Sequence, residues 1–298
     1  MRRSRVTLHD VASLAGVSHQ TVSRVINNSD RVLPETKAKV QAAIKELGYR
    51  PNTIARSMVK GHTSTIGCIT PDIINPVFNN IVQAAQKEAR QQGFFMLIGN
   101  ADTSEETRQL LDELLNRMVD GLMVLNPQDD ERYKFFEPLI EKGVPVVYLK
   151  NLPENKCVSS VTCDDFIGGY MATKYLLDLG HTNIATIYGP YNEECTKDRI
   201  GGYIKAMEEA GLMPDPELRT EGDWTAESGE EAVQRLLDLG KPLSAIFVQN
   251  DRMACGVVRR LSESGYDVPG DISIIAYDDI PMASYTYPAL TTIRQPLE

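Results

Sequence analysis

The chain has 298 residues, of which 42% are hydrophobic and 24% charged, a globular composition too long for one simple core, so two or three domains are expected. No apolar run approaches the ~18 to 20 residues of a membrane helix, and the start MRRSRVTLHD lacks the apolar stretch of a secretory signal, which predicts a cytoplasmic chain with no membrane partner. Cys68, Cys157, Cys163, Cys195 and Cys255 are odd in number and form no C-x-x-C pair, so they read as small core residues, with no disulfide framework, metal site or cofactor expected.

Charge is divided unevenly. Residues 1–60 hold 11 Lys/Arg against 4 Asp/Glu, net +7, so a total of −10 leaves −17 on the rest. A small basic head on a large acidic body fits a polyanion-binding module joined to something with another task. A merely basic arm would give the same composition, so the local pattern has to decide.

Thr7 precedes Leu8, Val11, Ala12 and Ala15, an apolar stripe at helical spacing, and Asp10 sits where a short acid can answer the cap. Gly16 can take a positive φ, Ser18 can cap a second helix, and Val22, Val25 and Ile26 give that helix an apolar face. Two short helices about a glycine turn are a helix-turn-helix. A third helix starts at Pro34, buries Val40, Ile44 and Leu47, and stops at Gly48. The second helix carries His19, Gln20, Thr21, Ser23, Arg24 and Asn27 opposite its apolar side. Gln and Arg are the side chains that read adenine and guanine edges bidentately, so this face suits the major groove, although a polar helix face is also what solvent requires.

The stretches TLHDVASLAGVSHQTVSRVINN, AAIKELGYRPN and IARSM closely resemble the DNA-binding headpiece of the lactose-repressor/galactose-repressor (LacI/GalR) transcriptional regulators. That resemblance implies that His19, Gln20 and Arg24 face base edges, while Thr7, Ser18, Thr21, Ser23 and Asn27 hold phosphates. It also implies a homodimer on a pseudo-palindromic operator in double-stranded DNA.

Arg50-Pro51-Asn52 breaks the third helix, and Asn52 can cap a short helix over residues 53–58 that is too brief to be stable unless packed against a partner. In the resembling family this segment is the hinge helix, which enters the minor groove with its dimer mate. Met58 stands where the family usually has Leu, and methionine is among the residues that wedge a base step open. Ala55 and Met58 are therefore expected on DNA, the alternative being a plain linker. The expected domains are a headpiece over 1–49, a hinge over 50–61 and an effector domain over 62–298.

From residue 66 onward short apolar runs alternate with amphipathic stretches: IGCIT and a helix over 76–92, FFMLIG and one over 105–118, GLMVL and one over 131–142, then VPVVYL. After a crossing near SSVTCDD the beat resumes with helices over 166–179, 197–210, 226–239 and 251–263 around NIATIYG, SAIFVQ and ISIIAY. This is the pattern of two similar open α/β lobes, which put a ligand at the carboxyl ends of their strands. Pro71, Asp72, Asn100, Lys150, Asn151, Tyr191, Asn250, Asp251 and Asp278 stand just after predicted strands, with Phe78 and Trp224 as aromatic faces. Helix capping would explain the strand-end Asp and Asn residues equally well.

DDFIGGYMATKYLLDLGHTNIATIYGP, GDWTAESG, VQNDRMACG, IIAYDD and YPALTTIRQP are similar to the effector domain of the same family, itself related to periplasmic sugar-binding proteins. The resemblance implies that Phe78, Arg199, Trp224, Asn250 and Asp278 contact the effector. Lys150 stands where sugar-binding members commonly carry Asp. With Arg199 it makes a sugar acid or sugar phosphate the expected ligand, unless Asp72, Asp251 and Asp278 neutralise both cations or Lys150 reaches only to the rim. Relatives continue past QPLE through a further helix and strands, so the effector domain is expected to be incomplete at its carboxyl end.

The expected fold is an all-α helix-turn-helix headpiece followed by an α/β two-lobed, periplasmic-binding-protein-like effector domain. The expected function is a repressor whose operator affinity is set by a small-molecule effector. A solute-binding or α/β enzyme domain fused to a DNA-binding head is the alternative. The sequence contains no P-loop, G-x-G-x-x-G, H-E-x-x-H or G-x-S-x-G motif, and His9, His19, His62 and His181 lie far apart, so no catalytic residues are expected.

Overall fold

The computed structural model describes residues 6–27, 29–50, 61–125, 132–150 and 158–297. The predicted hinge contacts Ala55 and Met58, with the strand-end Asn151, lie outside them. The chain divides into two compact units, Met1–Thr63 and Ser64–Glu298.

The first unit is three helices, α1 (Leu8–Ala15), α2 (His19–Ile26) and α3 (Pro34–Leu47). Their ends are made by the residues that sequence chemistry singles out. Thr7 accepts from the Asp10 amide while Asp10 answers the Thr7 amide, Gly16 closes α1 at φ 64°, Ser18 caps α2, and Gly48 closes α3 at φ 61°. Val11, Ala12, Val22, Val25, Val40 and Ala43 are buried together as the core.

The second unit holds two sheets. In the first lobe β1 (Thr65–Thr70), β2 (Phe95–Asn100), β3 (Gly121–Leu125), β4 (Val146–Leu149) and β5 (Ser159–Val161) stand in the order β2-β1-β3-β4-β5. Its helices are α4 (Pro76–Gln91), α5 (Ser104–Asn116) and α6 (Glu137–Glu141). In the second lobe β6 (Ile184–Tyr188), β7 (Arg219–Glu221), β8 (Ala245–Val248), β9 (Ser273–Asp278) and β10 (Thr291–Arg294) stand in the order β10-β9-β8-β6-β7. Around them lie α7 (Asp165–Asp178), α8 (Glu194–Glu209), α9 (Ala226–Asp238) and α10 (Asp251–Glu263). All pairings are parallel. Both sheets reverse their winding direction, at β1/β3 and at β6/β8, and such switch points leave a crevice beyond the strand ends.

The expected helix over 131–142 is the main departure. The described part splits into a 3₁₀ turn over Arg132–Phe135 and the short α6, because Pro138 lacks an amide proton and its ring clashes with a continuing helix. Where a single crossing was read near SSVTCDD, Ser159–Val161 instead forms the edge strand of the first sheet.

Glycines set how closely the second lobe's helices approach. A Cβ at Gly256 of α10 would lie 1.9 Å from the Ala226 carbonyl oxygen, and one at Gly229 of α9 would lie 2.2 Å from that of Met253. These obstacles are backbone, so they cannot rotate away. Gly256→Ala is expected to force α9 and α10 apart and to destabilise the fold by ~1 to 3 kcal/mol, read as a lowered melting temperature; an unchanged melting temperature would show that the helices have room to move.

Candidate functional sites

The candidate recognition face of the first unit lies on α2. With Val22 and Val25 inward, the helix leaves His19, Gln20 and Arg24 exposed, Ser18 and Asn27 exposed at its two ends, and Thr21 and Ser23 half-buried. Two of the expected phosphate ligands also serve the local fold. The Thr7 hydroxyl donates to Asp10 at 2.8 Å, and the Ser18 hydroxyl accepts from the Thr21 amide at 3.2 Å. Asn27 Nδ2 donates to Ser23 Oγ at 3.5 Å.

The second unit holds a cavity of about 740 Å³ between its lobes. The first lobe contributes Asp72, Phe78, Asn100 and Lys150 from the ends of β1, β2 and β4 and the start of α4, and the second contributes Arg199, Trp224, Asn250 and Asp278. Every expected effector residue lines it. Of the other strand-end residues, Tyr191 is exposed outside the lining, and Asp251 is fully buried, accepting from Thr292 Oγ1 at 2.6 Å and the Ile280 amide at 2.7 Å.

Capping and lining coincide at Asn250. Its Oδ1 accepts from the Met253 amide at 2.8 Å, capping α10, while its Nδ2 donates to the Trp224 carbonyl at 3.1 Å and fixes the aromatic platform. Trp224 stands at φ 69°, with its indole nitrogen donating to Glu193 Oε1 at 2.9 Å and its ring over Gly189, where a Cβ would come within 2.1 Å. Lys150 at φ 79° and Asp278 at φ 118° are also in the left-handed region. Strained backbone gathered at one cavity marks a site that the surrounding fold holds in place.

Arg199 is the buried centre. It is 4% exposed, donates through Nε to Asp165 Oδ1 at 2.8 Å and through Nη1 to the Gln249 carbonyl at 2.6 Å, and lies 3.7 Å from the Tyr277 ring centroid. Burial opposes the charge on Asp165, yet the Arg199 guanidinium and then Lys150 hold its carboxyl below the usual carboxylate value. Lys150 Nζ donates to Gln295 Oε1, whose amide donates at 2.5 Å to Asp278 Oδ1. Arg252 meets Asp72 across the lobes at 3.9 Å. Sequence reasoning missed Asp165, Gln295, Glu193 and Arg252. Only Asp165 carried a local sign, as one of a pair of acids at a helix start.

Burial pushes the Asp251 carboxyl up to about 7, and burial pushes Asp278 up to about 6 against the pull of Arg199 and Lys150. With both native values above the unfolded one, the folded chain binds more protons than the unfolded chain in this window. Stability should therefore fall as pH rises from about 4 to about 7 through these groups. Melting temperature against pH reads this, with a shallower slope expected in Asp251→Asn and an equal slope removing Asp251 from the account.

Residues 7–52 match the model of the lacI family of bacterial regulatory proteins, and residues 63–296 match that of the periplasmic binding proteins and sugar-binding domain of the LacI family. Catabolite control protein A of Priestia megaterium is 35% identical over 98% of this chain and 88% of its own length. The transcriptional regulator GalR of Escherichia coli is 36% identical over 98% of this chain and 84% of its own. A lac repressor dimer bound to operator and an anti-inducer superposes with TM-score 0.90 at 33% identity, over 99% of this chain and 88% of that one. A complex of the transcriptional regulator CelR with cellobiose gives TM-score 0.73 at 36% identity, over 98% of this chain and 89% of that one. With both units matched and relatives aligned along almost its whole length, the chain belongs to the LacI family of bacterial regulatory proteins.

Proposed function

We propose that this chain is a cytoplasmic repressor that binds operator DNA as a homodimer and changes its affinity when a small molecule enters the cavity between its lobes. The observation that carries the reading is the presence, in one chain, of an exposed row of base-reading side chains on α2 and a ligand-sized, aromatic-floored cavity in a separate unit. His19, Gln20 and Arg24 face base edges, Thr7, Ser18, Thr21, Ser23 and Asn27 take phosphates, and Ala55 and Met58 belong to the hinge in the minor groove. A second copy would cover the exposed stripe Ile167, Met171 and Tyr175, which recurs every four residues along α7, and the outlying Tyr285 and Tyr287. The solved lac repressor relative is a dimer on its operator.

The cavity is a binding site in this reading and not a catalytic one. Its thiol, Cys195, is pushed up to about 12 by burial and stays protonated at neutral pH, so it is no nucleophile. The partners of the cavity's cations bear on the ligand's charge. Arg199 is engaged by Asp165, Lys150 by Gln295 and Arg252 by Asp72, so these cations already have partners. A neutral polyhydroxyl ligand, a sugar stacked on Trp224 with hydroxyls toward Asn250 and Asp278, fits better than a sugar acid or sugar phosphate. Phe78, Asp72 and Lys150 would close the site from the first lobe.

Two measurements test the reading. Arg24→Ala should weaken binding to a duplex selected from a random pool by ~1 to 3 kcal/mol and relax preference at one base position; equal weakening on every sequence would make Arg24 a phosphate contact. Trp224 is the chain's one tryptophan, so its fluorescence reports cavity occupancy directly. Neutral sugars should shift the emission and raise the melting temperature, while their acids and phosphates should do so at least tenfold more weakly; the reverse order would restore the anionic ligand.

A further inference from the structure

The cavity between the lobes is wider than its anchored end. Lys150, Gln295 and Asp278 join the end of β4 to the ends of β9 and β10, and Asp72, just after β1, meets Arg252 at the start of α10. These links align the two sheets, so that β2 of the first lobe and β6 and β7 of the second lie on the side away from Lys150. The lining continues to that side. Asn100 and Asp102 follow β2 and Asn192 follows β6, and all three are exposed, whereas Arg199, Asn250 and Gln295 are buried. Neighbouring strands stand ~4.8 Å apart, so the three steps from β4 to β2 give the crevice a width of roughly 14 Å. One pyranose ring spans less than half of that width and fills only a fraction of the cavity's 740 Å³.

At the outer side the backbone is held while the side chains are unspent. The Asp102 amide donates to Glu106 Oε2 at 3.0 Å and its carbonyl accepts from Arg132 at 3.0 Å, and the Asn192 carbonyl accepts from Lys197 Nζ at 3.2 Å. Among the described residues, the Asp102 carboxylate and the Asn192 carboxamide make no hydrogen bond of their own, and Asn100 uses only its Oδ1, on the Ile73 amide at 3.0 Å. We propose that the effector is a neutral disaccharide, with one ring on Trp224 facing Asn250 and Asp278 and the second held between Asn100 and Asp102 of the first lobe and Asn192 of the second. The inference rests on the reading of the cavity as a neutral-sugar site. A carboxylate accepts and a carboxamide both donates and accepts, so these three residues complement neighbouring hydroxyls, each of which does both. Asp102 also disfavours an acidic group at that end. Because its contacts come from both lobes, the second ring binds a closed arrangement better than an open one, which is what a ligand must do to shift the lobes. Solvation alone would also place polar residues at a cavity mouth, and ligand length separates the two explanations.

The experiment is titration of the full chain with glucose, galactose, maltose, cellobiose and lactose, read by Trp224 fluorescence and by melting temperature. At least one of the disaccharides should bind about tenfold or more tightly than either hexose. Asp102→Ala and Asn192→Ala should each cut the ratio of disaccharide to hexose affinity by about three- to tenfold, the effect of one or two hydrogen bonds, and Asp102→Asn, which keeps one acceptor, should restore part of it. Ligand-free melting temperatures of these exposed-site variants should match the wild type, so that a lost ratio is not lost folding. A hexose that binds as tightly as every disaccharide, or variants that leave the ratio unchanged, would overturn the second-ring site while leaving the neutral-sugar reading in place. If none of the five sugars shifts the emission or the melting temperature, the neutral-sugar reading itself fails, and the second ring falls with it.

Discussion

The second unit is organised around one buried charge. Taking a guanidinium out of water is unfavourable unless every face of it is answered, and Arg199 is answered on each side: a carboxylate from α7, a carbonyl just past β8 and an aromatic face from β9. Those partners come from 34, 50 and 78 residues away along the chain, so the arrangement exists only when α7, α8 and the parallel strands β8 and β9 are all in place. The approach depends on glycine. A Cβ at Gly169 would meet the Arg199 carbonyl oxygen at 2.2 Å, and one at Gly202 would meet that of Phe166 at 2.1 Å, so α7 and α8 come close enough for Asp165 to reach the guanidinium. From this fixed point the cavity floor extends outward through Asn250, Trp224 and Asp278.

How much of this was legible depends on the range of the interaction. In the head, caps and turns are set by residues three or four apart, such as Thr7 with Asp10, so the three helices could be read from spacing alone. The strand-and-helix beat of the body also showed, because each element carries its own apolar period. The short edge strands Ser159–Val161 and Arg219–Glu221 did not, since three residues, all exposed in the first and none buried in the second, give no period to detect. Pro138 was in view, but an apolar stripe on both sides masked the break it makes.

At the cavity the residue positions were legible and their electrostatics were not. Lys150 and Arg199 look like two free cations in a list of residues. Only the fold shows Asp165 and Gln295 beside them, and neither partner stands within thirty residues of its cation. Resemblance to a family carries side chains across well, but it does not carry their partners. The ligand's charge depends on those partners, which is why an anionic effector is the natural expectation from sequence, while the partners seen beside Arg199 and Lys150 support the neutral ligand proposed above.

A ligand in this cavity shifts the lobes only through groups whose contacts differ between open and closed arrangements, because a molecule bound equally well by both would shift nothing. Side-chain links span the lobes within the cavity wall. Asp72 of the first meets Arg252 of the second, and Lys150 of the first reaches Asp278 of the second through Gln295. The first is long, at 3.9 Å between half-exposed side chains, and so is worth little by itself. The second passes through an amide with one donor and one acceptor already in use and joins two residues on left-handed backbone. A bound hydroxyl that donated to Asp278 or accepted from Lys150 would compete with Gln295 or extend its chain, and either outcome changes the energy of one lobe arrangement relative to the other. In the proposed reading, the carboxyl end of β9 and the residue after β10 are therefore where ligand contact and lobe geometry would share the same atoms.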